Sequence, residues 1–255
     1  MENIKYTSNS ISNYLSKMRI KWDDFYTSEK IVIENVFNRY ENLKKSQVLD
    51  IGCGCGGLGI ALKEKFHISN YSGVEINYEA AKYGQSISKD IKIIHGDFLK
   101  LDNGIIFDQY YDFVFSLSCI DWQLNFQNMF DKCWAKVKPG GFFILSLRLT
   151  NKKSLTNISE SFQYANYDNK KEGEIAPYIV FNANEIFQIF DLLDPISMEV
   201  NGYFGKSNYT AICPYNEICF SVIALQKKSD SVKKIHKNNI SLPNSIYKIL
   251  NYNRN

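Results

Sequence analysis

The residues with the clearest chemical potential are a glycine-rich run, four acids at or just beyond the ends of apolar stretches, and one arginine. Val48-Leu49-Asp50-Ile51-Gly52-Cys53-Gly54-Cys55-Gly56-Gly57-Leu58-Gly59 carries an apolar stretch into glycines that open a helical pattern. That arrangement brings backbone N–H groups close to a ligand and lets a helix N-terminus favour negative charge. Gly54-x-Gly56-x-x-Gly59 formally satisfies a dinucleotide fingerprint, which by itself is weak. Asp50 argues against a dinucleotide, because an acid just before the first glycine repels a pyrophosphate. The other acids are Glu75 in Gly73-Val74-Glu75-Ile76-Asn77, Asp97 in Gly96-Asp97-Phe98, and Asp121 in Cys119-Ile120-Asp121-Trp122. Arg148 lies near the end of another apolar stretch, where an unpaired guanidinium is costly to bury. It either reaches solvent or binds a phosphate, a carboxylate or a sugar acid.

The elements that must position these residues alternate in type. Apolar strand patterns cover 47–51, 71–75, 91–95, 111–117 and 142–149, with helical patterns over 58–66, 80–86 and about 125–137 between them. Pro139-Gly140-Gly141 reads as a turn before the fifth strand. Strands apolar on both faces that alternate with helices predict a parallel sheet covered by helices. A further helix is expected over 185–193, and two more strands over 198–204 and 218–225. Residues 1–46 read as a helical cap, in which Ile33, Val36 and Phe37 share a face. Residues 151–171 are polar and predict a loop or lid, within an insert of about 151–183. The stretch 227–255 reads as a basic, mobile tail.

Composition excludes several classes. The chain has 255 residues, 45% apolar and 22% charged, which is ordinary for a globular protein and poor for a fibrous or disordered one. No apolar run is long enough for a membrane span, and the first residues resemble no export signal, so a cytoplasmic protein is expected. Six cysteines without a CxxC pair, and only three histidines, argue for reduced thiols and against a structural zinc site. The net charge of +3 hides an asymmetry: from Lys227 onward there are six lysines and one arginine against one aspartate, so the rest carries about −3. Such a body, with few arginines, is a poor nucleic-acid binder.

The run D-x-G-x-G-x-G from Asp50 to Gly56 resembles the first motif of the class I S-adenosylmethionine-dependent methyltransferases. The rest of that family's pattern follows in order: the acid Glu75, Gly96-Asp97-Phe98, Tyr111-Asp112-Phe113-Val114-Phe115-Ser116, and Val137-Lys138-Pro139-Gly140-Gly141. The resemblance covers residues 47 to about 149. It implies an α/β fold with a doubly wound, mostly parallel seven-stranded sheet, and S-adenosylmethionine as cofactor. It implies that Asp50, Gly52, Cys53, Gly54, Glu75, Ile76, Asp97, Phe98 and Ser116 hold that cofactor, with Glu75 on the ribose and Asp97 on the adenine amino group. Ser116-Leu117-Ser118-Cys119 stands where adenine and glutamine N-methyltransferases resemble one another in an Asn/Asp-Pro-Pro-Tyr motif.

Cys119-Ile120-Asp121-Trp122 is instead similar to small-molecule methyltransferases that carry a His-Trp or Gln-Trp pair there; Trp122 matches and Asp121 departs. An alcohol acceptor must lose its proton to a base. Asp121 is the candidate for that role, and capping the next helix is the alternative. Arg148, Trp122 and Tyr178 are the candidate substrate-binding residues. Trp22 and Tyr26 could close over the cofactor or pack in the core. The reading is methyl transfer to a small polar acceptor, sugar-type or anionic, on oxygen, with a lean toward surface-polysaccharide chemistry. A catalytically silent S-adenosylmethionine-binding regulator, an RNA or protein methyltransferase, and a nicotinamide enzyme are the other classes the sequence leaves open.

Overall fold

The computed structural model describes Tyr6, Tyr14, Ser16, Lys17, residues 19–229 apart from 103, 105, 107, 167 and 168, and residues 238–250. Much of the expected N-terminal cap and basic tail therefore lies outside the described residues.

The strands are β1 (Gln47–Ile51), β2 (Asn70–Glu75), β3 (Lys92–His95), β4 (Tyr111–Ser116), β5 (Val137–Thr150), β6 (Phe162–Tyr164), β7 (Ile175–Pro177), β8 (Phe181–Asn182), β9 (Ser197–Gly205), β10 (Ala211–Ile212), β11 (Ile218–Gln226) and β12 (Asn239–Ser241). The helices are α1 (Thr27–Phe37), α2 (Gly57–Phe66), α3 (Tyr78–Ile87), α4 (Phe126–Ala135), α5 (Ala183–Leu192) and α6 (Asn244–Tyr247). The main sheet runs β3-β2-β1-β4-β5-β11-β9-β12, with β8 beside β5. β1 to β5 are parallel, and β11 is antiparallel to both of its neighbours. The seven expected strands are therefore present, widened by β12 and the short β8.

Each inner strand feeds two cores because successive side chains point to opposite faces. Val48 packs with Ile33, Leu62 and Phe113 on one face, whereas Leu49 packs with Val114, Phe130 and Phe143 on the other. Both faces are covered, which is why the strands read as continuous apolar runs.

Three expectations are corrected. Pro139-Gly140-Gly141 lies inside β5 instead of preceding it, at a bulge where the pairing with β4 jumps from Tyr111↔Val137 to Phe113↔Phe142. The polar stretch after β5 is not a free loop: β6 pairs with β7 and β10 in a small second sheet, and Leu155 bridges to Val180. A three-residue strand such as Phe162-Gln163-Tyr164 is too short to register as alternation. The described part of the tail is not free either. β12 pairs parallel to β9, and Ile246 and Leu250 are buried in the α4–α5 core. Two apolar side chains in a lysine-rich context do not show up in composition.

Candidate active site

β1 ends at the sheet's carboxyl edge and runs into the glycine loop, where Gly52 has φ +73°. A Cβ there would sit 2.5 Å from the Cys119 sulfur, so only glycine allows both the turn and the close approach of the loop after β4. The loop and α2 border a cavity of about 650 Å³ at this edge. Ligands in open parallel sheets bind there because the loops diverge.

On the cavity floor, Glu75 is buried and accepts hydrogen bonds from the Gly54 N–H at 2.8 Å and the Asn77 N–H at 2.7 Å. Burial pushes its carboxyl up, and those backbone donors oppose the rise. Asp50, also buried, accepts from the Tyr71 hydroxyl at 2.6 Å. Burial raises Asp50 to about 7, against the lowering effects of Tyr71 and Arg19. Gly52, Cys53, Gly54 and Ile76 line the same space.

Four residues expected to act on the acceptor meet on one wall. Asp121 sits in a 3-10 turn (Ile120–Trp122), buried, with Oδ2 3.0 Å from Arg148 Nε. The Arg148 guanidinium also donates to the Ile179 carbonyl at 3.0 Å and to the Asp121 backbone carbonyl at 2.5 Å. It lies 4.4 Å from the Trp122 ring centre and 3.7 Å from that of Tyr178. Asp121 Oδ1 has no hydrogen-bond partner among the described residues. Burial raises the Asp121 carboxyl, and Arg148 offsets only part of that rise.

The geometry corrects several single-residue expectations. Asp121 is not the cap of α4; Asn125 occupies that position. Arg148 borders the cavity, and Asp121 and two carbonyls engage its Nε and Nη2. Ser116 is fully buried and borders neither this cavity nor its neighbour, because strand alternation turns it inward; Leu117, Ser118 and Cys119 line the space instead. Asp97 and Phe98 also lie off the main cavity, around an adjoining pocket of about 30 Å³ shared with Gly52, Ile76, Cys119 and Gln123. Asp97 Oδ1 accepts the Leu99 N–H at 3.1 Å, making a local turn. In the N-terminal segment, Tyr26 borders the cavity whereas Trp22 packs in the core and donates to Glu34.

Sequence reasoning missed Arg19 and Gln123, which line the cavity together with Gln163 of the insert and Tyr203 of β9. Arg19 pairs with Glu29 and lies over the Phe25 and Tyr26 rings. Neither Arg19 nor Gln123 stands in a periodic pattern or motif. Only the neighbouring Trp122 could have drawn notice to Gln123.

Comparison with known proteins agrees with this geometry. A family model described as a methyltransferase domain matches residues 49–143, the stretch from β1 into β5. The matched stretch, 95 of the 255 residues, is similar to a methyltransferase domain. The domain's relatives include the ubiquinone biosynthesis O-methyltransferase of Rickettsia prowazekii, 29% identical over 125 residues, covering 48% of each chain. Sterol 24-C-methyltransferase ERG6B of Gibberella zeae is 28% identical over 103 residues, covering 38% of this chain and 26% of that protein. The chain matches about half the length of the first of these relatives or less. Among solved structures, phosphoethanolamine N-methyltransferase 2 of Haemonchus contortus with S-adenosyl-L-methionine shares the fold at TM-score 0.53 and 15% identity, covering 87% of this chain and 61% of that one. The YcgJ protein of Bacillus subtilis does so at TM-score 0.51 and 11% identity, covering 78% and 99%. Among the described residues, no helix is long and apolar enough to cross a membrane.

Proposed function

We propose that this protein transfers the methyl group of S-adenosylmethionine to a hydroxyl of a small polar acceptor, with Asp121 taking the hydroxyl proton. The observation that carries this reading is the Asp121 carboxylate itself. One of its oxygens is held by Arg148 and the other has no partner among the described residues, and Asp121 borders the same cavity as Glu75 and the glycine loop. In-line methyl transfer needs two substrates held together away from water, and a base within reach of the acceptor.

Glu75 and Gly54 are the residues proposed to hold the ribose and the methionine portion. The cavity's ionisable lining is predominantly acidic: Asp24, Glu29, Asp50, Glu75 and Asp121 against Arg19, Arg148 and Lys206. That balance suits a cationic sulfonium and disfavours an anionic acceptor. Transfer to oxygen is supported by the names of the ubiquinone biosynthesis relatives. Trp122, Tyr164 and Tyr203 offer aromatic walls against which an uncharged ring can lie, which keeps a sugar-type acceptor within the proposal.

Calorimetric titration with S-adenosylhomocysteine and with NAD, each repeated on Glu75→Gln, tests the cofactor half. Binding of the former alone, weakened in the variant, is expected. Binding of NAD alone would return the glycine loop to the dinucleotide class. Transfer of labelled methyl groups to a panel of neutral and anionic hydroxyl compounds tests the acceptor half.

A further inference from the structure

The small second sheet brings one long polar side chain to the cavity. In the register of β6 with its neighbours, Gln163 stands between Ala176 of β7 and Ala211 of β10. Residues directly opposite in antiparallel strands share a face. Ala176, on that face, packs with Ala165 against Trp122, the residue after Asp121. Gln163 is therefore the one long side chain in its row, and it borders the main cavity.

Gln163 is 9% exposed, and among the described residues its amide has no hydrogen-bond partner. A buried amide without a partner is costly, and such a group marks a place where a ligand completes the bonding. Its surroundings hold it in place. Ser161, fully buried two residues earlier, donates its hydroxyl to the Tyr178 carbonyl at 2.6 Å, and its own carbonyl accepts the Tyr178 N–H at 3.2 Å. The next residue, Ile179, donates its N–H to the Asp121 carbonyl at 3.1 Å. The segment that carries Gln163 is thus tied through two residues to the turn that carries Asp121.

We propose that Gln163 is a specificity-determining residue of the acceptor site, its amide holding a second, uncharged hydroxyl of the molecule whose first hydroxyl gives its proton to Asp121. This rests on the methyl-transfer reading above and narrows its acceptor to a polyol. Either end of the amide suits a hydroxyl, because the amide offers two N–H donors and a carbonyl acceptor, and a hydroxyl both donates and accepts. A carboxylate can only accept and an ammonium can only donate, so each suits one end alone. Ions of either sign are also held more strongly by a charged partner than by a neutral amide. A compound that lacks the second hydroxyl leaves the buried amide unpaired, and a site built to hydrogen-bond a hydroxyl rejects such a compound for that reason.

The test measures labelled methyl transfer to cyclohexanol, to the isomeric cyclohexanediols, and to methyl glycosides paired with their monodeoxy forms. It is run on the native protein, Gln163→Leu and Gln163→Met. The native protein is expected to favour the best polyol over its counterpart lacking one hydroxyl by about tenfold or more in kcat/KM, the scale of one buried group left unpaired. Both variants should lose most of that preference, chiefly through a higher KM for the polyol, while calorimetric affinity for S-adenosylhomocysteine is retained. A preference unchanged in both variants overturns the role given to Gln163. Single-hydroxyl compounds methylated by the native protein as well as polyols overturn it too, and leave methyl transfer to hydroxyls standing. So does transfer to none of these uncharged compounds while S-adenosylhomocysteine binds, which leaves the cofactor reading standing. Failure of the native protein to bind S-adenosylhomocysteine overturns the cofactor reading and this inference with it. Should the leucine variant fail to fold, the unbranched methionine variant carries the comparison.

Discussion

Asp121 and Arg148 meet in a buried ion pair at 3.0 Å that engages only one carboxylate oxygen and leaves the other without a partner among the described residues. Arg148 is in turn held by the Ile179 carbonyl and by the faces of Trp122 and Tyr178. The guanidinium thus acts on the carboxylate's position and charge, and the carboxylate is the group proposed to take the acceptor's proton. Asp121→Asn keeps the size and removes the proton acceptor. It should lower methyl transfer by about 10²–10⁴-fold, the usual contribution of a positioned base, while S-adenosylhomocysteine affinity measured by calorimetry is retained. Equal loss of both would mean that Asp121 serves folding or cofactor binding instead.

Arg148→Met separates positioning from chemistry by a different readout. Removing one member of a buried pair typically costs about 3–5 kcal/mol, because the remaining charge is stranded. Asp121 can escape that cost by taking up a proton, and its carboxyl is already raised by burial. The rate should therefore fall on the acid side, with its rise displaced to higher pH than in the native protein. A pH–rate profile unchanged in shape would show that Arg148 does not act on Asp121.

Asp50 predicts a pH dependence whose sign can be worked out. Its carboxyl stands at about 7 in the fold against 3.8 ordinarily, chiefly through burial. The folded state therefore binds a proton more tightly than the unfolded chain. The contribution is full below about pH 4 and is lost as pH rises to about 7, at up to about 1.4 kcal/mol per pH unit. Denaturant unfolding of the native protein and Asp50→Asn across that range should give curves that converge toward low pH, where both side chains are neutral, and part as Asp50 ionises. Affinity for the positively charged cofactor should run the other way, rising as Asp50 ionises, and the variant should flatten that rise.

Gly52→Ala carries two costs that a double variant can pull apart. The left-handed φ of +73° costs an alanine about 1–2 kcal/mol, and its Cβ would meet the Cys119 sulfur at 2.5 Å. Adding Cys119→Ala removes the sulfur but not the backbone strain. Stability should recover only in part, and cofactor affinity should stay reduced where the loop is displaced. Full recovery of both in the double variant would show that the backbone conformation is not required.

The C-terminal stretch supplies a stability prediction. Ile246 is fully buried and Leu250 nearly so in the core beside α4 and α5. Truncating either to alanine should cost about 2–5 kcal/mol in denaturant unfolding, as for other large-to-small core changes. A change within about 0.5 kcal/mol, the range of ordinary surface substitutions, would mean that α6 does not dock in solution.

Several features of this protein were legible in the order of its residues alone. β1, the glycine loop and the acid at Glu75 are local: a strand, a turn that needs glycine and a helix N-terminus follow one another within a few residues, so their geometry is written in short-range pattern. The alternation of apolar strands with helices likewise implied the parallel sheet, because strands covered on both faces show no polar alternation. Asp121, Trp122, Arg148 and Tyr178 could each be singled out by residue type. Their meeting could not, since 27 residues separate Asp121 from Arg148 and only the pairing of β4 with β5 brings the two regions together. Tertiary packing alone decided that Arg148 pairs with Asp121 at the cavity wall, and that Ser116 is buried away from that cavity. It also decided that Gln123 borders the small pocket beside Asp97, and that part of a lysine-rich tail belongs to the fold. The physical reason is the same in each case. Burial sets the cost of an unpaired charge or oxygen, and which groups are buried against each other is fixed by the sheet order, not by spacing along the chain.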